Sequence, residues 1–230
     1  ALRDNLHIPL LNRALRGEYP PGSTVKPVIA LAGLTYGVTT PQHTKACGGY
    51  FTLPGSRHRF RDWRPAGHGV VAMETAIAQS CDVYFYQQGL KIGGTNIAKY
   101  AKMFGLGAPT GIELGTEKMG LIPEPKPRVK GDRKSRPWTG GDTLNVSIGQ
   151  GAVLVTPMQI ARMMSAVANG GVLWKPRLVQ RIERPEQGVV CRDPGQVNGH
   201  VELSPVVWAL IRDGLWAVVN DWGTGGASKI

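Results

Sequence analysis

The stretch Tyr19-Pro20-Pro21-Gly22-Ser23-Thr24-Val25-Lys26-Pro27 decides how the rest of the chain is read. Its Pro-Pro-Gly turn delivers the backbone into an apolar run, Val28 to Leu34, with the composition of a buried helix. Proline is tolerated only near a helix start, because it lacks an N–H and its ring clashes with the preceding turn. Pro27 therefore places that start close to Ser23. Ser23 and Lys26, three residues apart, then share one helical face, hydroxyl beside amine. A serine hydroxyl is a weak nucleophile until something takes its proton. A lysine buried in the same turn is pushed toward the neutral amine and can be that base. The helix N-terminus adds a positive field that favours an oxyanion beside Ser23. Taken alone, S-x-x-K also describes an N-cap serine followed by an exposed lysine, so the pattern needs context.

The chain has 230 residues, which fits one large domain or two small ones and supports a sizeable core without disulfides. No stretch approaches the roughly 18 apolar residues of a membrane span. The chain starts at Ala1 without Met or a signal-like segment, giving the expectation of an excised globular piece whose anchor lies elsewhere. A formal net charge of +11 suggests an anionic partner: nucleic acid, a membrane surface or an acidic polymer. The charge is clustered, first at Arg57, Arg59, Arg61 and Arg64, then at Lys126, Arg128, Lys130, Arg133, Lys134 and Arg136 in a Pro-rich stretch. The plain alternative is solvated basic loops. No zinc finger, RNP-type strand or recognition helix supports nucleic acid, and no nucleic-acid partner is expected. Three cysteines, Cys47, Cys81 and Cys191, make no disulfide scaffold.

Helix signals are clear at several points. Thr156-Pro157-Met158-Gln159 combines an N-cap, a first-turn proline and a capping box, predicting a helix to Asn169 that Gly170-Gly171 stops. Ser204-Pro205 opens another, with Val207, Leu210, Ile211, Leu215 and Val218 on one face, and Thr95 to Phe104 forms a third. Val70–Gln79 and Val83–Leu90 read as helical runs, while 172–174, 178–182 and 189–191 read as a small antiparallel strand set.

Between the two helical runs stands Ser80-Cys81-Asp82, fifty-seven residues after Ser23. S-x-x-K followed by an S-x-N/D triplet is the motif order of penicillin-binding proteins and β-lactamases. Asn12-Arg13-Ala14, Arg61-Asp62-Trp63, Gly67-His68-Gly69, Gly141-Asp142-Thr143, Gly149-Gln150-Gly151 and Ala168-Asn169-Gly170-Gly171 extend the match over nearly the whole chain. Together they resemble the transpeptidase domain of class B penicillin-binding proteins, closest to the penicillin-binding protein 2 group of the rod-elongation machinery. The resemblance implies an α+β fold, an antiparallel sheet flanked by helices with a mostly helical subdomain, and one transpeptidase domain over 1–230. It implies a peptidoglycan D,D-transpeptidase, also a β-lactam target, that forms a Ser23 acyl-enzyme on stem peptides. Lys26 is then the base, Ser80 a proton relay and Asp82 the partner of Lys26. The implied location is the periplasmic face of the inner membrane, beside elongation-machinery membrane proteins such as a glycosyltransferase partner. A D,D-carboxypeptidase, a β-lactamase or a penicillin-sensing receptor of the same fold are the alternatives. The third family motif, K-[ST]-G, does not occur in the sequence. The sheet is therefore expected to be incomplete and the chain to lack part of the site.

Cys47, Asp62, His68 and Cys81 are all zinc-ligand types, enough to fill a closed tetrahedral site, yet their spacing matches no short zinc motif. Ordinary buried cysteines and a surface histidine are the plain alternative. The resemblance implies a structural zinc in this region, held by two Asp, a His and a Cys. Asp62, His68 and Cys81 then match in type, with Cys47 in place of the second Asp. A Cys47–Cys81 disulfide competes with that reading.

Overall fold

A computed structural model of the chain describes residues 10–126 and 136–229; most of the second basic stretch, 127–135, lies outside them. A short helix, α1 (Arg13–Arg16), precedes the decisive stretch. Gly22–Val25 forms one 3₁₀ turn that runs straight into α2 (Lys26–Thr35). Every residue of α2 from Lys26 to Gly33 is buried. A helix apolar on all sides belongs inside a core, and the helices Met73–Ala78, Asp82–Ile92, Gly94–Met103 and Pro205–Asn220 pack on α2.

Four three-residue strands follow: β1 (Lys45–Cys47), β2 (Tyr50–Thr52), β3 (Arg59–Arg61) and β4 (Gly69–Val71). β1 pairs antiparallel with β4, setting Cys47 opposite Gly69, and β2 pairs with β3, setting Tyr50 opposite Arg61. The helical run expected over Val70–Gln79 is corrected here. Gly69 has φ +72° and Ala72 is extended, so Val70 and Val71 pair with β1, and the helix, α3, spans only Met73–Ala78. Two β-branched residues next to a strand partner prefer the pleat.

The chain continues through α4 (Asp82–Ile92), α5 (Gly94–Met103), α6 (Gly140–Ser147) and α7 (Pro157–Ala168). The capping box read at Thr156 and Gln159 is formed in both directions, with Gln159 N donating to Thr156 Oγ1 at 3.2 Å and Thr156 N to Gln159 Oε1 at 3.1 Å. Then come β5 (Val172–Trp174), β6 (Arg181–Arg184), β7 (Gly188–Arg192), β8 (Val197–His200) and α8 (Pro205–Asn220). β5 pairs with β8 and β6 with β7, both antiparallel. The strand expected at 178–182 is shifted: Leu178 and Val179 are exposed and precede β6. The class is α+β, and the strands among the described residues form four antiparallel pairs.

One close contact fixes the central helix pair. Gln88 on α4 is fully buried and donates Nε2 to Ile29 O on α2 at 3.2 Å. A Cβ on Gly33 would stand 1.7 Å from that Nε2 and 2.7 Å from the Gln88 Cδ. Gly33→Ala is therefore expected to cost about 2–3 kcal/mol, since overpacking and a stranded amide outweigh the gain of about 1 kcal/mol in helix propensity. Urea unfolding measures it. A neutral or stabilising result would show that α2 and α4 are not in this contact.

Candidate active site

The nucleophile turn is held from below by a segment far along the chain. Tyr19 and Val155 exchange backbone hydrogen bonds at 2.9 and 3.0 Å, and Gly22 N donates to Gly149 O at 2.9 Å. Gly149 has φ +69°, and a Cβ there would lie 2.3 Å from Gly22 O. Only glycine meets both conditions, which gives the Gly149-Gln150-Gly151 motif a physical role. The outcome is an exposed Ser23 at the mouth of a cleft of about 250 Å³ that Lys26, Ser80, Met164 and Thr224 also line.

Lys26 is 2% exposed, which excludes the surface-lysine reading. Its Nζ donates to Ser80 O at 2.7 Å, to Ser80 Oγ at 3.0 Å and to Asp82 Oδ1 at 2.6 Å. Three acceptors match the three hydrogens of an ammonium. Burial is the largest influence on this group and pushes its pKa below the ordinary lysine value; the charge and hydrogen bond of Asp82 resist. When Lys26 loses a proton, one contact must reverse or open. The Ser80 hydroxyl is the only one of the three partners that can turn donor, so it is the group able to answer that change.

Ser80 reaches Lys26 through an uncommon backbone. It is the one non-glycine residue with positive φ, +52°, among the described residues. Such a conformation costs on the order of 1–3 kcal/mol and needs surrounding structure to hold it. Ser80 N to Ile77 O at 3.1 Å and Cys81 N to Ala76 O at 2.9 Å supply that support. Nothing in the residue type signals this turn. Immediately after it, Cys81 caps α4, its Sγ accepting from Tyr84 N at 3.4 Å.

The four predicted ligand residues meet behind this loop. One donor atom from each of Cys47, Asp62, His68 and Cys81 lies within 4.8 Å of all the others. Cys47 Sγ is 3.5 Å from Asp62 Oδ2 and 3.6 Å from His68 Nδ1, and Cys81 Sγ is 3.4 Å from Asp62 Oδ2. His68 and Asp62 have fully buried side chains 3.4 Å apart. Cys47 and Cys81 are free thiols, so the disulfide alternative is not formed here; Cys191 is free and exposed. Burial pushes the Cys81 thiol well above its ordinary value. Burial also works to raise the Asp62 carboxyl, but N–H donors from Arg64 and Val83, then His68, hold it below the usual carboxylate range. Trp63, exposed, donates Nε1 to Gln79 O at 2.9 Å and sets its ring 5.5 Å from His68. It ties the cluster to the backbone just before Ser80, a link invisible in sequence.

Residues 2–230 match the penicillin binding protein transpeptidase domain family. The chain belongs to that family. It is 40% identical over 226 residues to the peptidoglycan D,D-transpeptidase MrdA of Acinetobacter baumannii, covering 98% of this chain and 33% of that protein. The solved structure of Pseudomonas aeruginosa PBP2 in complex with WCK 5153 superposes with a TM-score of 0.84 at 38% identity, over 99% of this chain and 51% of that one. PBP2 of Helicobacter pylori, solved in a complex with MreC, superposes at 0.79 and 32% identity over 96% of this chain and 39% of that one. This transpeptidase domain thus spans about one third of the length of the MrdA relative. Among its described residues no helix is long and apolar enough to cross a membrane.

Proposed function

We propose that this domain carries the acyl-transfer chemistry of a peptidoglycan D,D-transpeptidase. The observation that carries the reading is Lys26, buried with a lowered pKa, holding Ser80 and Asp82 in the cleft that Ser23 opens. Lys26 as the amine takes the Ser23 proton, and Ser23 Oγ attacks the carbonyl of a D-Ala-D-Ala stem terminus. The tetrahedral oxyanion collapses to an ester on Ser23, and D-Ala leaves with a proton relayed through Ser80. An amine of a neighbouring stem then attacks the ester and restores Ser23. β-Lactams present the same carbonyl to the same serine. The enzyme works at the periplasmic face of the inner membrane beside a glycosyltransferase of the elongation machinery. The test is to feed a pentapeptide stem to the full-length protein and measure D-Ala release together with a cross-linked dimer. Release without dimer would make it a carboxypeptidase, and neither product would end the reading.

We further propose that Cys47, Asp62, His68 and Cys81 hold a structural zinc. Zinc bonds of about 2.0–2.3 Å to N, O and S in a tetrahedron set donors roughly 3.5 Å apart; three of the separations here are 3.4–3.6 Å and all lie within 4.8 Å. His68 Nδ1 faces the cluster, while its buried Nε2 has no hydrogen-bond partner among the described residues. A metal on Nδ1 would place the ring proton on Nε2. The ion would bind the end of β1, the 61–68 loop and the cap of α4 together. About one zinc per chain is expected by elemental analysis, and His68→Ala should release it and lower thermal stability. Wild-type protein without metal and with a Cys47–Cys81 disulfide would replace the zinc.

A further inference from the structure

The basic cluster at Arg57, Arg59, Arg61 and Arg64 is left unused by the chemistry described so far. Arg59 and Arg61 are the two outward positions of β3, with Phe60 between them turned toward the core. Outward residues two apart on a strand stand about 7 Å from each other. On β2 the residues opposite them are Thr52 and Tyr50, and the Arg59 guanidinium lies 4.6 Å over the Tyr50 ring. All four arginines are exposed. Elsewhere arginines find carboxylates: Arg136 with Asp142, Arg177 with Asp193, Arg181 with Glu183. None of these four has one among the described residues. The only acidic residue between Pro20 and Met73 is Asp62, and it is turned inward, 5% exposed, with its oxygens taken by the buried cluster. The face is thus cationic, with the one acid of its own sequence segment turned inward.

Its position gives it a purpose. Trp63, between Arg61 and Arg64, is bonded to Gln79 O, so the loop that follows β3 is tied to the backbone one residue before Ser80, which lines the cleft. We propose that the cationic face docks a carboxylate-bearing peptide strand, the stem peptide and its neighbours in the peptidoglycan polymer, with the reacting end at Ser23. This rests on the transpeptidase reading and adds to it where the rest of the substrate lies. Carboxylates two residues apart on an extended peptide would stand at the spacing of outward strand residues, which suits Arg59 and Arg61. A membrane surface shares the anionic chemistry but brings no reacting end to Ser23.

The test uses the full-length protein and isolated peptidoglycan sacculi. Arg59→Gln combined with Arg61→Gln is expected to weaken sacculus binding about tenfold at low salt, with the difference shrinking as salt rises. Wild-type protein should show a similar loss on sacculi whose carboxylates have been amidated, a measurement that needs no variant to fold. Labelling of Ser23 by a fluorescent penicillin, which carries no stem peptide, should keep its wild-type rate in the double variant. Unchanged sacculus binding by the double variant and by wild type on amidated sacculi would overturn the proposal. So would binding lost only to phosphatidylglycerol vesicles, which would assign the face to lipid. Failure of wild-type Ser23 to label at all would strike the transpeptidase reading instead, leaving the sacculus result to stand by itself.

Discussion

Ser23→Ala in the full-length protein is expected to abolish covalent labelling by a fluorescent penicillin, a loss on the order of 10⁴-fold or more. Of the three other hydroxyls lining the cleft, those of Ser80, Thr24 and Thr224, the first two are already engaged. The Ser80 hydroxyl is engaged by Lys26 at 3.0 Å on a backbone locked in its turn, and Thr24 donates to Pro21 O at 2.8 Å. The substitution removes one exposed oxygen and no packing, so thermal unfolding should be unchanged within measurement. Peptide mapping of labelled wild-type protein checks the same point independently, and an adduct on Ser80 or Thr24 would sink the assignment of Ser23.

The second large effect belongs to Lys26. Lys26→Met should slow acylation by roughly 10²–10⁴-fold, the range for losing a general base. Lys26→Arg should not restore it, because a guanidinium keeps its protons throughout the accessible range. In the proposed mechanism the amine is the working form, and burial lowers the pKa at which it appears. The acylation rate should therefore climb as pH rises through that lowered pKa and level off above it. Asp82 works in the opposite direction, through charge and hydrogen bond. Asp82→Asn should accordingly move the rising limb to lower pH even as it reduces the plateau. A limb that stays put, or a Lys26→Arg enzyme with a normal rate, would remove Lys26 from the role of base.

Legibility in the sequence followed the range of the interactions involved. Local chemistry was readable: Thr156-Pro157 and Gln159 made their capping box, Ser204 caps α8 by accepting from Val207 N, and Pro27 sits at the start of α2. Ser23, Lys26, Ser80 and Asp82 were found as a motif pair, and the structure brings the last three into hydrogen-bond contact. Cys47, Asp62, His68 and Cys81 were found by residue type and family likeness, since their convergence depends on β1 pairing with β4. What stayed hidden depends on distant partners. β1 to β4 have three residues each and no helix stop such as the Gly170-Gly171 that sets off the equally short β5, so their alternation does not register and Val70 reads as helix. Gly33 looks like an ordinary helix flaw until Gln88 is set against it, and Ser80 gives no hint of a left-handed backbone.

The fastening of the Tyr19–Gly22 turn by Gly149 and Val155 has a consequence for how the protein is made. Synthesis delivers Ser23 early, but the two backbone clamps that shape its turn arrive only after the helices between have emerged. By then α3, α4 and α5 can already pack on α2, and of its helical neighbours only α8 is still to come. A nascent chain stalled before Pro205 would leave the α8 side of this apolar helix open to aggregation, and the demand for a chaperone should fall once α8 is in place.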